Sequence, residues 1–410
     1  MTTLIITNRL LRTASNGYDL RVWHLCRALA EHERLVLLTL PIAEGSACAD
    51  GELFLDQVFA NRFSSIRMNH LRPRFLRHFR LGEDSRYRLG YPSFQRAVTD
   101  QIKLICRQFA IENMIVFGSN LVGLTREFST TKKMLLDVCD SVALTIEREM
   151  AIDDNRTGPV ERLKKQLNHA RWKNLEGKTP YWFDHVVTIN QRDTETVQRL
   201  SGGRTNLSTI PNGVEPVFEQ AYHEVSRKRR GVAFWGNLSF APNRDAVKFF
   251  YDDVYLPYLK PVGIEWCIVG KDPAPYLLEA AAHDNNLRLL GFVEDLRETL
   301  VDYPVMVNPM RSGSGMKNKV LEAHAMGLAV VSTPLGMESI DGATADASYL
   351  AAQTPRQFFN AVQALLENEK MRVRIQRTAR DLVMNKYTWK TVDAQWVHLV
   401  SRVFPSIALV

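Results

Sequence analysis

The sequence predicts an α/β protein with two doubly wound, mainly parallel sheets. Short apolar runs alternate with segments of helical periodicity along nearly all of the 410 residues, which is typical of parallel strands covered by helices. The same alternation restarts after a polar stretch at 212–228, and a chain of this length is too long for one compact core. We therefore expect two Rossmann-like domains, with residues 1–212 in the first and the second starting at residue 213.

The first half contains apolar runs with the length and composition of strands. They are rich in Ile, Leu and Val and lie between polar or glycine-containing segments. Leu20, Trp23 and Leu29 recur on one helical face, which predicts a helix there. The predicted strands are residues 4–9, 34–41, 113–118, 133–140, 183–190 and 207–215. The predicted helices are residues 20–32, 93–112, a segment from Asp193 onwards, and part of the charged stretch 145–178.

The second half repeats the same order of elements and then ends in helices. Its strands are expected at 231–237, 264–270, 287–292, 304–309 and 328–333. Its helices are expected at 244–259, 274–284, a short segment after 292, the segment that follows 304–309, and finally 354–368, 371–385 and 389–404.

Composition excludes several classes of protein. Hydrophobic content is 45% and charged content 24%, as in ordinary soluble globular proteins, and no run of about 18 apolar residues suggests a membrane span. The N-terminus is interpreted as the first strand and not as a leader peptide. Five scattered cysteines without a C-x-x-C pair argue against a zinc site or a disulfide framework. They fit a reducing cytoplasm, which is the expected location.

The net charge of +7 is concentrated in one segment. Residues 62–96 carry nine arginines against Glu83 and Asp84, with aromatic and leucine side chains interleaved. One interpretation is a solvated surface over a core helix. The other is a face that meets an anionic surface, such as phospholipid headgroups on the inner face of a membrane or a lipid-linked pyrophosphate. Nucleic acid is disfavoured because no nucleic-acid-binding motif accompanies the arginines.

The stretch "RSGSGMKNKVLEAHAMGLAVVST" (311–333) is predicted to form an anion-binding loop. It follows a strand, and in parallel sheets ligands bind outside the carboxyl ends of strands. Gly313 and Gly315 allow backbone N–H groups to approach a ligand, and the helix start that follows is electropositive. Lys317 and Lys319 add charges suited to phosphate. The alternative is an ordinary tight turn.

Glu322 lies slightly deeper in the same predicted helix. A carboxylate next to a phosphate would repel it. We therefore expect Glu322 to face the sugar side of a nucleotide and to accept a hydrogen bond from a hydroxyl group; the alternative is a surface glutamate.

These residues resemble the donor-binding signature of glycosyltransferase family 4, the retaining GT-B transferases of group 1 type. The resemblance covers nearly the whole chain and is densest from 183 to 340. It is carried by "GSGMKNKVLEAHAMGLAVVSTPLGMESI" (313–340), "GFVEDL" (291–296), "GVAFWGNLSFAPNRDAVKFF" (231–250), "FDHVVTINQRDTETV", "STIPNGVE", the N-terminal "NRLLRTASNGYDLRVWHLCRALAEH" and "YTWKTVDAQWVHLV" (387–400).

The resemblance implies two domains that face each other across a cleft, with an acceptor-binding and a donor-binding side. A C-terminal crossover helix at 387–410 would complete the first domain, leaving 213–386 as the nucleotide-sugar domain. Lys317 and Lys319 would hold the diphosphate and Glu322 the ribose. The other donor-binding residues implied are Asn16, Gly17, Asn237, Phe292, Val293, Gly313, Ser314, Gly315, Glu338 and Ile340.

The chain departs from the family pattern at several positions. Ser314 stands where many members carry the first of two paired glutamates, and Asn237 stands where a basic residue is common. No histidine follows the strand "MIVF" to act near the sugar. Asp137 and Asp140 are candidates for contact with the acceptor, although capping of the next helix is an equal alternative.

The resemblance implies a hexosyltransferase-type enzyme that uses a nucleoside-diphosphate sugar and needs no metal or further cofactor. The acceptor would be a sugar, a lipid-linked glycan or a small molecule, and the product a cell-surface polysaccharide, lipid-linked glycan or glycosylated metabolite. Two alternatives stay open: an epimerase or phosphorylase on the same fold, and a non-catalytic protein that binds a membrane surface. An NAD-dependent enzyme is disfavoured because the first strand lacks the G-x-G-x-x-G motif.

Overall fold

The computed structural model describes residues 2–8, 17–40, 63–67, 92–152, 158–220 and 231–405. The chain divides into two compact units that are not contiguous in sequence. Unit 1 comprises Met1–Ala143, Pro159–Asn212 and Asp393–Val410, and unit 2 comprises Leu144–Gly158 and Gly213–Val392.

Unit 1 is built on a seven-stranded parallel sheet in the order β3-β2-β1-β4-β5-β6-β7. The inner strands are buried along their length, because helices cover both faces of such a sheet. The strands are β1 Thr2–Thr7, β2 Arg34–Thr39, β3 Phe63–Arg67, β4 Asn113–Phe117, β5 Lys133–Cys139, β6 His185–Thr188 and β7 Leu207–Thr209.

The helices in this half of the chain connect the strands in turn. The described ones are α1 Gly17–Ala30, α2 Pro92–Gln108, α3 Val122–Thr125, α4 Val142–Ile152, α5 Pro159–Trp182 and α6 Gln191–Leu200, with short 3-10 turns at Ser119–Leu121 and Arg126–Thr130. Asn190 caps α6 by accepting a hydrogen bond from the backbone N–H of Asp193, so this helix begins two residues before the predicted Asp193.

Unit 2 contains a six-stranded parallel sheet in the order β10-β9-β8-β11-β12-β13. Strands β8 and β11 lie side by side although they are distant in sequence, so the strand order reverses at this point, where doubly wound sheets bind ligands. The strands are β8 Gly231–Trp235, β9 Glu265–Val269, β10 Leu287–Leu290, β11 Val305–Asn308, β12 Ala329–Ser332 and β13 Leu350–Ala351.

The helices of the second half pack on both faces of this sheet, with buried aromatic side chains such as Trp266 and Phe358 between the layers. The described helices of the second half are α7 Pro216–Gln220, α8 Ala241–Phe249, α9 Pro275–His283, α10 Leu296–Leu300, α11 Asn318–Met326, α12 Pro334–Met337, α13 Pro355–Glu367, α14 Glu369–Lys386 and α15 Trp389–Val403. Helix α15 belongs to unit 1 from Asp393 onwards. Helix α8 continues as a π-helix over Phe250–Leu259 and a 3-10 turn over Lys260–Val262. In the described ranges no helix combines the length and the apolar character needed to cross a bilayer.

The structure confirms the predicted α/β class with two parallel sheets. The sequence interpretation missed β3 and the two-residue β13, because one lies inside the arginine-rich segment and the other is too short to show a pattern. Of the stretch 145–178, residues 145–152 lie in α4 and residues 159–178 in α5. The prediction assigned 144–158 to the first domain and ended the second at 386. In the structure, 144–158 belongs to unit 2, which runs on to Val392.

Candidate functional site in unit 2

The loop between β11 and α11 has the backbone form expected of an anion-binding turn. Gly313 has φ +95° and Gly315 has φ +71°, a region that side chains disfavour. Both glycines are buried, and the loop follows the carboxyl end of β11 at the point where the strand order reverses. The predicted loop therefore lies where ligands bind in sheets of this kind.

Lys317 fastens this loop from within. It is the N-cap residue of α11 and only 6% exposed. Its Nζ donates to the carbonyl oxygens of Ser314 at 2.9 Å and Gly315 at 3.0 Å. Its backbone N–H donates to the Ser339 hydroxyl at 3.3 Å. The ammonium group thus shapes the loop and adds positive charge beside it.

Lys319 lies against the carboxyl end of β8 and is partly buried. Its Nζ donates to Asn243 Oδ1 at 2.7 Å and sits 4.2 Å from the centroid of the Phe234 ring. Its pKa is lowered from 10.5 to about 7, mainly by burial and then by the nearby Lys317 charge, while the Glu322 carboxylate acts in the opposite direction. Near neutral pH, Lys319 therefore exchanges between the charged and the neutral form, and a bound anion would favour the charged form.

Gly236 makes room for this ammonium group. Its φ is +146°, and a Cβ atom there would lie 3.4 Å from Lys319 Nζ and 2.9 Å from Asn243 Nδ2. Because Gly236 has no Cβ atom, the side chains of Lys319 and Asn243 can occupy these positions without a clash.

Glu322 lies near Lys319 and is oriented by a tryptophan. Trp235 Nε1 donates to Glu322 Oε2 at 2.7 Å. Burial raises the pKa of Glu322, while the Trp235 hydrogen bond and the Lys319 charge lower it. The structure thus brings Lys317, Lys319 and Glu322 together, as their spacing predicts.

Helix α4 supplies an arginine that the sequence interpretation missed. The Arg148 guanidinium donates to the carbonyl oxygen of Gly313 at 2.7 Å and to both carboxylate oxygens of Glu338, with Nη2 2.7 Å from Oε2. The two side chains are 15% and 22% exposed. Thr145, one turn earlier, is hydrogen-bonded through its hydroxyl to Ser314. No sequence motif indicated these contacts, because 165 residues separate Arg148 from Gly313.

The remaining predicted donor residues of unit 2 have different environments. Asn237 is exposed, and its side chain accepts from the backbone N–H of Ser239 at 2.9 Å. Phe292 is 69% exposed, with Lys271 Nζ 4.4 Å from its ring centroid. Val293 is partly buried against the hydrophobic core, and Ile340 is fully inside it. Ile340 therefore contributes packing, and no part of its side chain is presented at the surface.

The predicted residues of unit 1 also differ in how far they are buried. Asn16 lies outside the described residues, and Gly17 begins α1, where its carbonyl oxygen accepts from Asn212 Nδ2 at 3.3 Å. Asp140 is exposed after β5. Asp137 is completely buried and is paired with Arg21, whose Nε lies 2.5 Å from Oδ2.

This burial corrects the acceptor assignment of Asp137. The Arg21 guanidinium also donates to the carbonyl oxygen of Ile210 at 2.7 Å and lies 5.0 Å from the ring centroid of Trp396. Asp137 therefore neutralises a buried arginine that links separate segments of unit 1 and has no surface for an acceptor. Asp140 alone remains a candidate.

The cluster can stabilise an anion in several ways. The loop offers backbone N–H groups at a helix start, and Lys319 and Arg148 offer side-chain donors. Glu322 offers an acceptor for a hydroxyl group next to the anion. In the described part of the chain, no group of three or more His, Cys, Asp and Glu side chains is arranged to hold a metal.

Part of the chain matches a known protein family. Residues 229–368, which contain β8, β11 and the loop, match the family model described as Glycosyl transferases group 1. No curated protein sequence matches the chain.

Solved structures match over nearly the whole chain. HepE from Anabaena, solved in complex with UDP, has a TM-score of 0.65 at 11% identity and covers 98% of this chain and 100% of its own. Sucrose-phosphate synthase from Thermosynechococcus elongatus has a TM-score of 0.67 at 13% identity, with 99% of each chain covered. WaaG, a glycosyltransferase involved in lipopolysaccharide biosynthesis, has a TM-score of 0.64 at 13% identity, covering 98% of this chain and 99% of its own.

At such identities the structural likeness shows the fold. The chain therefore has the two-sheet GT-B fold of these proteins, and its residues 229–368 match the group 1 glycosyltransferase family.

Proposed function

We propose that this protein is a retaining glycosyltransferase that moves a hexosyl group from a nucleoside-diphosphate sugar to an acceptor hydroxyl. The observation that supports it most is the cluster around the β11–α11 loop, where Lys317, Lys319 and Glu322 lie together. The group 1 match of residues 229–368 and the UDP and UDP-glucose complexes of the HepE structures favour a uridine nucleotide as donor.

In this proposal the enzyme acts by stabilising the leaving group. The bond between the anomeric carbon and the diphosphate oxygen breaks, and the acceptor oxygen bonds to the same face of that carbon. Negative charge develops on the diphosphate, where loop N–H groups and the Lys319 ammonium stabilise it. The leaving phosphate takes the acceptor proton, so neither a metal nor two glycosidase-type carboxylates are required.

Glu322 would fix the nucleotide by accepting a hydrogen bond from a ribose hydroxyl. Trp235 already holds one of its oxygens at 2.7 Å, so the side chain is oriented before a ligand arrives. Phe292, Val293 and Glu338 would border the nucleotide, and Asn16, Gly17 and Asp140 stay proposals for unit 1.

The proposal extends to the biological setting. We propose an acceptor that is a sugar, a lipid-linked glycan or a small molecule, in a pathway of surface polysaccharides, lipid-linked glycans or glycosylated metabolites. We propose a cytoplasmic location, with the arginine-rich segment 62–96 meeting an anionic membrane surface on its inner face. Most of that segment lies outside the described residues.

Ligand-dependent thermal stabilisation tests the donor assignment. Uridine, guanosine and adenosine diphosphates are compared over a concentration series, since the stabilisation grows with ligand concentration over Kd. We expect one nucleotide, most of all UDP, to raise Tm selectively. In a second assay, the radiolabelled sugar of the corresponding nucleotide sugar should be transferred to an acceptor or released by hydrolysis.

Lys319→Ala supplies the site-specific arm of this test. We expect it to weaken nucleotide binding at least about tenfold, the loss for a charged hydrogen bond of about 1.4 kcal/mol. Lys390→Ala is the matched control, because Lys390 is an exposed lysine of unit 2 outside the cluster. Wild-type affinity in the Lys319 variant would refute the site.

A further inference from the structure

Helix α5 packs on unit 1 through one face only. Trp172, Glu176 and Thr179 are buried on that inner face, and Glu176 is hydrogen-bonded to the start of α4. The first two turns of the helix are exposed on nearly all sides. The N-terminal half of α5 therefore has a side that the described chain does not cover.

That side carries large apolar residues at helical spacing. Val160 is 67% exposed, Leu163 56% and Leu167 51%. At about 100° per residue they lie within an arc of about 60°, and Trp172 of the inner face lies more than about 120° from the centre of this arc. Three neighbouring apolar side chains form a stripe, whereas exposed Leu278 and Val262 of unit 2 stand on separate elements.

Basic side chains border the stripe. Lys164, Arg171 and Lys178 recur every seven residues on the Val160 side of the stripe, and all three are exposed. The helix contains six basic residues but only two acidic ones, Glu161 at its first turn and the buried Glu176. The outer face of α5, meaning Val160, Leu163, Leu167 and these three basic residues, thus carries an apolar stripe with cations along one border.

We propose that the outer face of α5 docks on an anionic phospholipid surface. The valine and leucine side chains enter the boundary between headgroups and acyl chains, and the lysines and arginine contact the phosphates. Apolar residues flanked by cations on one side of a helix are the arrangement that lies in a membrane interface. The positive charge selects anionic lipids, each cation near the surface adding attraction. Helix α5 is a different part of the sequence from the segment 62–96, and the proposal does not depend on glycosyl transfer.

The test is partition of the full-length protein onto large unilamellar vesicles, measured by co-sedimentation. Vesicles of phosphatidylcholine alone are compared with vesicles containing 30–40% phosphatidylglycerol, a composition on the order of that used to mimic an anionic leaflet. We expect binding to the anionic vesicles that weakens as salt rises, because surface charges are screened within about 10 Å at 0.1 M.

Two variants separate the apolar and the electrostatic contributions. Leu163→Gln with Leu167→Gln is expected to lower the partition coefficient about tenfold, and the triple change of Lys164, Arg171 and Lys178 to Gln by a similar factor at low salt. The matched controls are Leu278→Gln with Val262→Gln and the triple change of Lys370, Arg374 and Lys390 to Gln, all at exposed positions of unit 2. Circular dichroism and Tm show that each variant is folded.

The outcomes are decisive in both directions. Loss of vesicle binding in the α5 variants, with the controls unchanged, supports the proposal. It is overturned if wild-type protein does not bind anionic vesicles, if the α5 variants bind like wild type, or if the α5 changes abolish self-association in solution and leave vesicle binding intact.

Discussion

At the scale of single residues, the protonation of Lys319 is coupled to anion binding. Its pKa of about 7 is lowered first by burial and then by the charge of Lys317. A bound diphosphate would supply the missing counter-charge and raise this pKa. The protein would therefore take up a proton with the nucleotide wherever Lys319 is neutral beforehand.

We predict that nucleoside-diphosphate affinity falls as the pH rises from about 7 to 9. In this range the phosphate is already fully ionised, since its second pKa is about 6, so the change reports on Lys319. The loss should approach tenfold per pH unit, as one proton is linked to binding. Lys319→Arg, which stays charged, should flatten the profile. Titration calorimetry at several pH values measures this, and a flat wild-type profile would contradict it.

The Arg148–Glu338 pair gives a second prediction at this scale. A double-mutant cycle with Arg148→Ala and Glu338→Ala should give a coupling free energy of about 1–3 kcal/mol, because both groups are partly buried and bidentate. The Arg311–Asp245 pair is the control: it is also bidentate, but its side chains are 42% and 30% exposed. Its coupling should stay below about 1 kcal/mol. Urea denaturation measures both, and equal couplings would argue against the role of burial.

At the scale of elements, α5 fixes the start of α4. Glu176 accepts hydrogen bonds from the Ser141 hydroxyl at 2.6 Å and from the backbone N–H groups of Val142 at 2.8 Å and Ala143 at 3.3 Å. These N–H groups belong to the first turn of α4 and have no partner within their own helix. A side chain from a neighbouring helix thus provides the cap that Ser141 would otherwise supply.

We predict that Glu176→Ala lowers the free energy of unfolding by about 1–3 kcal/mol, because it leaves buried donors unsatisfied. Glu176→Gln should cost much less, since its amide oxygen can still accept from the backbone. Glu161→Gln, at the exposed first turn of α5, is the control and should change stability by less than about 0.5 kcal/mol. Urea denaturation followed by circular dichroism distinguishes these values, and equal stabilities of the two Glu176 variants would disprove the capping role.

At the scale of the whole molecule, the two units differ in their buried titratable groups. In unit 2, burial lowers the pKa of His324 from 6.5 to about 4. In unit 1, burial lowers the pKa of His185 to about 4, but it also raises the pKa of Glu33 and Glu176 from 4.5 to about 7. These shifts have opposite consequences for stability.

We predict that acidification from pH 7 to 5 destabilises unit 2 more than unit 1. Between pH 6.5 and 4 unfolded His324 binds more protons than folded His324, which lowers the free energy of unfolding of unit 2 as the pH drops. The raised pKa of Glu322 acts against this effect, but it is a single group, whereas unit 1 has two such glutamates. In unit 1 the two glutamates bind more protons when folded between pH 7 and 4.5, which offsets His185.

Hydrogen exchange with mass spectrometry reads the two units separately. Peptides of α11 and β11 should lose protection at pH 5 before those of β4 and β5. His324→Leu should remove much of the difference, and His283→Leu, at an exposed position of α9, should not. Loss of protection in unit 1 first would contradict the prediction.

The sequence predicted the parts of the site that depend on local spacing. Gly313, Gly315, Lys317, Lys319 and Glu322 lie within ten residues, so one strand–loop–helix unit brings them together. It could not predict Arg148 or the burial of Asp137, because these contacts span 165 and 116 residues. Contacts of that kind depend on how helices pack after the sheets have formed, and no periodicity encodes them.

The order of segments in the two units has a consequence for synthesis on the ribosome. Residues 393–405 are translated after residues 1–392, yet Trp396 is fully buried in unit 1 beside Arg21 and Phe117. The core of unit 1 is therefore still incomplete when the strands of its sheet leave the ribosome, and it is completed only after unit 2 has been translated. A nascent chain stalled before residue 393 would expose the apolar surface that Trp396 covers, and chaperones could bind it. During synthesis, unit 1 would then complete its folding after unit 2, although its sheet is translated first.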